Sequence, residues 1–220
     1  LNAAMLAINA MNANRETFRD DDHVRFHGII TAGGDAVSAV PSDVRLEWRV
    51  RAGSMESVKE NNLKLDRSFK AGALAVGARV QITTVPGYFP IRNDQTLKSG
   101  FIQNAEALVG KQGLQIISDD LNRGHSTDFG DLSNVLPVLG ISVGGVTGQT
   151  HGNDFVVDDW NIAVVDSAKV VAMQIIDLMY GDADGAKEVV DKARLEMTRD
   201  QYLAFQRQQA KEIDFDGAQE

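Results

Sequence analysis

From Val44 to Ala52 the sequence alternates strictly, with Val44, Leu46, Trp48 and Val50 on one side and Arg45, Glu47, Arg49 and Arg51 on the other. Side chains on a β-strand point in turn to its two faces, so this period of two describes a half-buried strand with a charged outer face. Such a strand needs a neighbour to pair with and an apolar layer beneath it. Val24 to Ala32 reads as the neighbour, ending at Gly33 and Gly34, with Pro41 and Ser42 marking a turn. Leu1, Met5, Ile8 and Met11 fall on one face of a preceding helix. Ser54 is placed to cap a second helix that runs to about Gly77, and Arg79 to Val85 is a further strand stopped by Pro86 and Gly87. The first 90 residues therefore spell α-β-β-α-β, packed most economically as an antiparallel sheet with two helices on one face. Its edge strand must be covered or paired. Edge-to-edge pairing in a dimer is one solution, and a self-sufficient small α+β domain with a charged edge is the other.

The 220 residues suffice for one large domain or two small ones, and 43% hydrophobic content can bury a core. The net charge of -9, without a run of lysine or arginine, argues against nucleic acid and gives no attraction to an anionic membrane surface. No apolar run approaches the roughly 20 residues of a membrane span. Asn2, Asn9 and Asn12 interrupt the first apolar stretch, which reads as an amphipathic helix and not as a leader. A cytoplasmic location is expected, and a sequence that opens inside a helical pattern is expected to be part of a longer protein. With no cysteine, a metal would have to be held by histidine and carboxylate.

Beyond residue 90 the pattern changes. Asp94 can cap a helix through about Val109, ended by Gly110, and Leu114 to Ser118 is a short β-rich run. A long helix from Trp160 to Tyr180 carries a broad apolar stripe, including Val165, Val171, Ile175 and Met179, that should pack on a sheet. Asp184 to Glu220 reads as one or two charged helices and a frayed acidic tail.

Between these lies the stretch from Gly124 to Gly152, holding two of the four histidines. It reads as a polar loop, an apolar strand within Val135 to Val146, and a glycine turn that delivers His151 to a rim. A neutral imidazole at a strand end is a common metal ligand, and a loop histidine bonded to backbone is the competing reading. There is no H-E-x-x-H nearby and no H-x-D anywhere, so local motifs do not assemble a metal site. Ser126, Thr127, Asp128, Asp131 and Ser133 could bind a substrate carboxylate, or could make the Asx and ST turns that hold a loop. Gly140 to Gly148 lacks the following lysine of a phosphate loop, and Gly181 to Gly185 lacks the distal glutamate of a calcium loop.

Five stretches together resemble one family: R-F-H-G-I-I-T-A-G-G-D-A-V-S-A-V-P, W-R-V-R-A, H-S-T-D-F-G-D-L-S-N-V-L-P, T-H-G-N-D-F and D-S-A-K-V-V-A-M-Q-I-I-D-L. They are similar to the dinuclear zinc amidohydrolases of metallopeptidase family twenty, which include aminoacylase, carboxypeptidase G, hippurate hydrolase and aminobenzoyl-glutamate hydrolase. The resemblance covers roughly residues 1 to 185. It implies an α/β protein in which residues 1–90 are a ferredoxin-like α+β lid that pairs into a homodimer. Residues 91–185 would be the C-terminal part of a zinc-peptidase catalytic domain, and 186–220 terminal helices and tail.

The resemblance further implies hydrolysis of an amide bond in an N-acyl amino acid, a dipeptide or an aminobenzoyl-glutamate-like substrate. Two zinc ions are expected, with manganese or cobalt as substitutes. His151 falls where the last metal-ligand histidine stands. Ser126, Thr127 and Asp128 fall on the substrate-side loop, and His27, Gly33, Gly34 and Arg51 on lid positions bordering the site. Ser38 replaces the asparagine that many members carry, which alters a lid contact to substrate, and His125 replaces a small residue. The remaining metal ligands and the general-base glutamate would lie upstream, so this chain alone is expected to be inactive. The alternative is a non-catalytic dimerisation or interaction module on the same fold.

Overall fold

The first helix, α1 (Asn2–Ala13), buries Ala4, Ala7 and Met11. Of the expected stripe of Leu1, Met5, Ile8 and Met11, Met11 is fully buried, but Leu1 and Met5 remain close to half exposed and Ala4 and Ala7 take their place on the packed face. The reason lies in α2 (Met55–Leu74). A Cβ on Gly72 would overlap the carbonyl oxygen of Ala3 and lie 2.7 Å from the backbone nitrogen of Ala7, so small residues bring the two helix backbones together. Leucine or methionine at that contact would hold them apart. Ser54 caps α2 as expected, its hydroxyl accepting from the Ser57 N–H at 3.2 Å.

The computed structural model describes residues 1–118 and 127–219, with a mixed α/β architecture. Two compact units are present, one of residues 1–90 with 203–219 and one of residues 91–118 with 127–202. In the first, β1 (Arg25–Ala32) and β2 (Arg45–Arg51) pair antiparallel. Phe26, Trp48 and Val50 turn inward onto Met11 and Leu65, and Phe18 packs edge-on to Phe26 at 4.8 Å. Gly28 stands opposite Trp48, where any Cβ would collide with the indole ring.

The third strand, β3 (Arg79–Thr84), belongs to a separate two-stranded sheet. Its antiparallel partner is β6 (Lys211–Asp216), with Ile82 opposite Ile213 and the Arg79 guanidinium paired to Asp214. The acidic end expected to fray is therefore a strand. Lys211, Ile213 and Phe215 alternate with the more exposed Glu212 and Asp214, and Lys211 places its ammonium 2.6 Å from Asp66, a carboxylate only 5% exposed. The Gly217 N–H donates to the Ala78 carbonyl and closes the sheet.

In the second unit α3 (Gln95–Val109) is capped by Asp94, whose carboxylate accepts from the Leu97 N–H at 2.9 Å, and ends at Gly110 with φ 72°. A four-residue helix α4 (Phe129–Leu132) and a minimal ladder of β4 (Val146–Thr147) with β5 (Val156–Val157) follow. A π-helical stretch, Asn161–Asp166, leads into α5 (Ser167–Met179) and α6 (Asp184–Lys192), and α7 (Arg199–Gln209) begins in this unit and continues into the first. The apolar runs Leu114 to Ser118 and Val135 to Val146 are not the expected strands, apart from Val146 itself. Around residues 138–140 the backbone is satisfied another way: the Val138 carbonyl accepts from the Asp94 N–H, and the Gly140 N–H donates to the Asn93 side chain. α5 meets α3 through Asn104, which donates to Gln174 at 3.2 Å and Asp177 at 2.7 Å. Its outer face stays exposed, with Val171 at 42%, Ile175 at 55%, Ile176 at 59% and Met179 at 61%. No helix among the described residues is long and apolar enough to cross a membrane.

Two substitutions test these contacts. Gly72→Ala is expected to lower stability by about 1–3 kcal/mol through overpacking, against the gain that alanine brings to an exposed helix. Lys211→Met is expected to destabilise the first unit by leaving Asp66 buried without its cation, and Asp66→Asn in the same chain should restore part of the loss. Urea midpoints of the single and double variants measure both effects.

Candidate functional site

The glycine turn expected to deliver His151 is built from the β4–β5 connection. Gly145 stands before β4 with φ 77°, and its carbonyl accepts from the Asp158 and Asp159 N–H groups at 3.1 and 3.2 Å. The Asp159 carboxylate then accepts from the Asn161 and Ile162 N–H groups and starts the π-helical stretch. Within the connection, the Gly152 N–H donates to the Gln149 carbonyl at 2.6 Å, closing a four-residue turn with His151 in third position. His151 adopts φ 68° there, in the left-handed region that side chains seldom enter. Its side chain is exposed and carries no hydrogen bond or ion pair to a described carboxylate. Asp154, the nearest acid in the loop, accepts instead from the Gln149 N–H at 3.3 Å.

Thr127 and Asp128 lie at the start of α4, the Thr127 hydroxyl donating to the Asp128 carboxylate at 2.8 Å. Ser126 and His125 lie outside the described residues. The rest of that loop is held from within. Ser133 and Asn134, both buried, donate to the Gly130 carbonyl at 2.7 and 2.8 Å, while the Ser133 oxygen accepts from the Arg92 N–H. Asn134 was no part of the sequence reading. It is a buried structural group whose amide donates back to the Gly130 carbonyl four residues earlier.

In the first unit Gly33, Gly34 and Ser38 sit on the connection from β1 to β2. Gly34 has φ 119° and packs so tightly on Pro41 that a Cβ would lie 2.7 Å from its ring, whereas Gly33 has room; Ser38 is exposed. His27 and Arg51 belong to the outer face of the β1–β2 pair, where Arg49 stands directly opposite His27. Burial, and then the positive charges of Arg51, Arg49, Arg25 and Arg15, hold the His27 imidazole below its ordinary pKa, favouring the neutral ring. Among the described residues no group of three or more histidines and acids could hold a metal ion, and His151 belongs to no such group.

In sequence the chain is similar to two dipeptidases. Over 141 residues the chain is 35% identical to the Xaa-Arg dipeptidase of Mus musculus and 34% identical to that of Homo sapiens. The match takes in 62% of this chain and 31% of either relative, so the chain spans under a third of their length. No protein-family model matches the chain.

The turn makes its own prediction. His151→Ile should destabilise the second unit by about 1–2 kcal/mol, the cost of a branched side chain in the left-handed region, whereas His151→Asn should be nearly neutral. Thermal unfolding of the two variants beside the parent chain separates backbone strain from any loss of a side-chain contact.

Proposed function

We propose that this chain is the lid and C-terminal catalytic segment of a metal-dependent amidohydrolase or peptidase. Its substrate is a dipeptide, an N-acyl amino acid or an aminobenzoyl-glutamate-like amide. The single observation that carries this reading is the identity with two dipeptidases across 141 residues. The α-β-β-α-β order of residues 1–84 supports the lid as a ferredoxin-like unit short of its first strand, with residues 91–185 as the returning part of the catalytic domain. In this reading His27, Gly33, Gly34, Ser38 and Arg51 border the substrate from the lid, Ser126, Thr127 and Asp128 from the catalytic segment, and His151 is a metal ligand. The homodimer forms through the lid, and the protein works in the cytoplasm.

The donor set limits what this segment does alone. Among the described residues, one exposed histidine without grouped carboxylates does not fit a zinc site, which takes three or four protein ligands, so His151 carries no chemical step by itself. The remaining ligands and the general base come from polypeptide outside this chain. The exposed apolar face of α5 supports the same reading, since an uncovered row of Val171, Ile175, Ile176 and Met179 calls for a covering layer.

The full-length protein is expected to hydrolyse at least one member of a panel of dipeptides, Xaa-Arg compounds included, N-acyl amino acids and aminobenzoyl-glutamate. Chelation should abolish turnover, and zinc, manganese or cobalt should restore it. The 220-residue chain should show neither turnover nor tight zinc binding by calorimetry. Tight binding by the chain alone would contradict the assignment of a single ligand, and a full-length protein inert on the whole panel would remove the peptidase reading.

A further inference from the structure

β6 reaches β3 from beyond the second unit, since residues 91–202 lie between the two strands in sequence. The strands run antiparallel, with Val80 opposite Phe215, Ile82 opposite Ile213 and Thr84 opposite Lys211. Ile213 and Phe215 are only partly buried, and the most enclosed contact of β6 is a charged one, Lys211 on Asp66. That ion pair keeps β6 over α2, the helix that also packs against β2 and β3. Yet the two ladders remain separate sheets, and among the described residues β2 pairs on one edge only, with β1. A β-α-β-β-α-β unit is a single sheet in which the first strand lies between the third and the last, antiparallel to both. β6 runs against β3 in the direction of that first strand, while β2 keeps open the edge to which it would also bond.

We infer that the β3 edge is a strand-accepting surface whose partner is a strand from polypeptide outside this chain, and that residues 211–216 hold it in cis until that strand displaces them. The choice of partner rests on the proposed peptidase reading, in which such polypeptide completes the lid. Backbone hydrogen bonds along a strand edge do not depend on sequence, so one strand can replace another, and side chains decide which one fits. The slot calls for apolar residues opposite Val80 and Ile82 and for a cation at the end beside Thr84. There Asp66, 5% exposed, is costly to leave unpaired. A strand that meets these terms and also bonds to β2 makes two ladders where β6 makes one. Once released, Lys211–Asp216 carries four charges and is readily solvated.

Amide hydrogen exchange on the 220-residue chain and on the full-length protein tests this without any substitution. In the 220-residue chain both 79–84 and 211–216 are expected to be protected. In the full-length protein 211–216 should exchange at least about tenfold faster while 79–84 stays protected, because β3 has changed partner and not lost one. Equal protection of 211–216 in the two proteins would overturn the inference. So would loss of protection in 79–84, since no strand would then have replaced β6. A Thr83→Cys/Glu212→Cys variant gives a second measurement. These opposed residues stand about 5 Å apart, within reach of a disulfide, and the chain has no other cysteine. Under oxidation the bond should form within single copies of the 220-residue chain. In the full-length variant it should form at least about tenfold more slowly, since only the fraction with β6 on β3 can react. Failure to form in the shorter chain, formation between copies, or equal rates in both proteins would each overturn the placement. Turnover on the amide panel tests the peptidase reading separately. Strand replacement in an inert full-length protein leaves the inference standing, and turnover with 211–216 still protected removes the inference alone.

Discussion

The first unit depends on how closely α1 and α2 approach. Gly72 has no side chain to keep Ala3 and Ala7 away, so the helix axes close until backbone meets backbone. That closeness carries Met11 to the interior, where it meets Phe26 of β1 and Leu65 of α2 and is fully buried. The same approach buries polar groups, and most are satisfied locally: Asn61 donates to the Ser57 carbonyl, and Ser68 donates to the Lys64 carbonyl while accepting from Asn14. Two groups are left over. The Asn61 carbonyl oxygen and the Trp48 indole N–H are buried without a partner among the described residues. A buried unpaired group costs on the order of 1–3 kcal/mol, so the apolar contacts around Met11 must outweigh it.

Local signals in the sequence survive into the structure because their causes are local. Ser54 and Asp94 cap their helices through hydrogen bonds that span three residues, and the alternation of Val44 to Ala52 needs only the strand period to be read. What could not be read depends on partners far along the chain. The small-residue face of α1 means little until Gly72 is known to lie against it. β6 alternates well enough, but the four charges in Lys211–Asp216 resemble a solvated tail until β3 supplies Arg79 and α2 supplies Asp66 from the other end of the sequence. Val135 to Val146 misleads in the opposite sense: it has strand composition, yet the backbone near Val138 and Gly140 is claimed by the start of α3. Of the candidate site, the position of His151 on a glycine-rich turn was legible, and its left-handed backbone was not, because φ is set by the Gln149–Gly152 closure.

The two units differ in how far each completes itself, and this bears on chemistry. The first has a closed cluster around Met11 and borrows residues 203–219 to finish its second ladder. The second has polar contacts between α3 and α5 but leaves the opposite face of α5 bare. Covering four half-exposed aliphatic side chains is worth several kcal/mol, a large fraction of the stability of an ordinary domain. The same unit carries a lone histidine on a strained turn, which no described neighbour turns into a site. A surface that lacks its apolar cover and a histidine without grouped acids or imidazoles among the described residues are two forms of one deficiency. A single additional layer packed on α5 could remedy the first, and the second would follow if that layer also brought carboxylates and imidazoles within reach of His151.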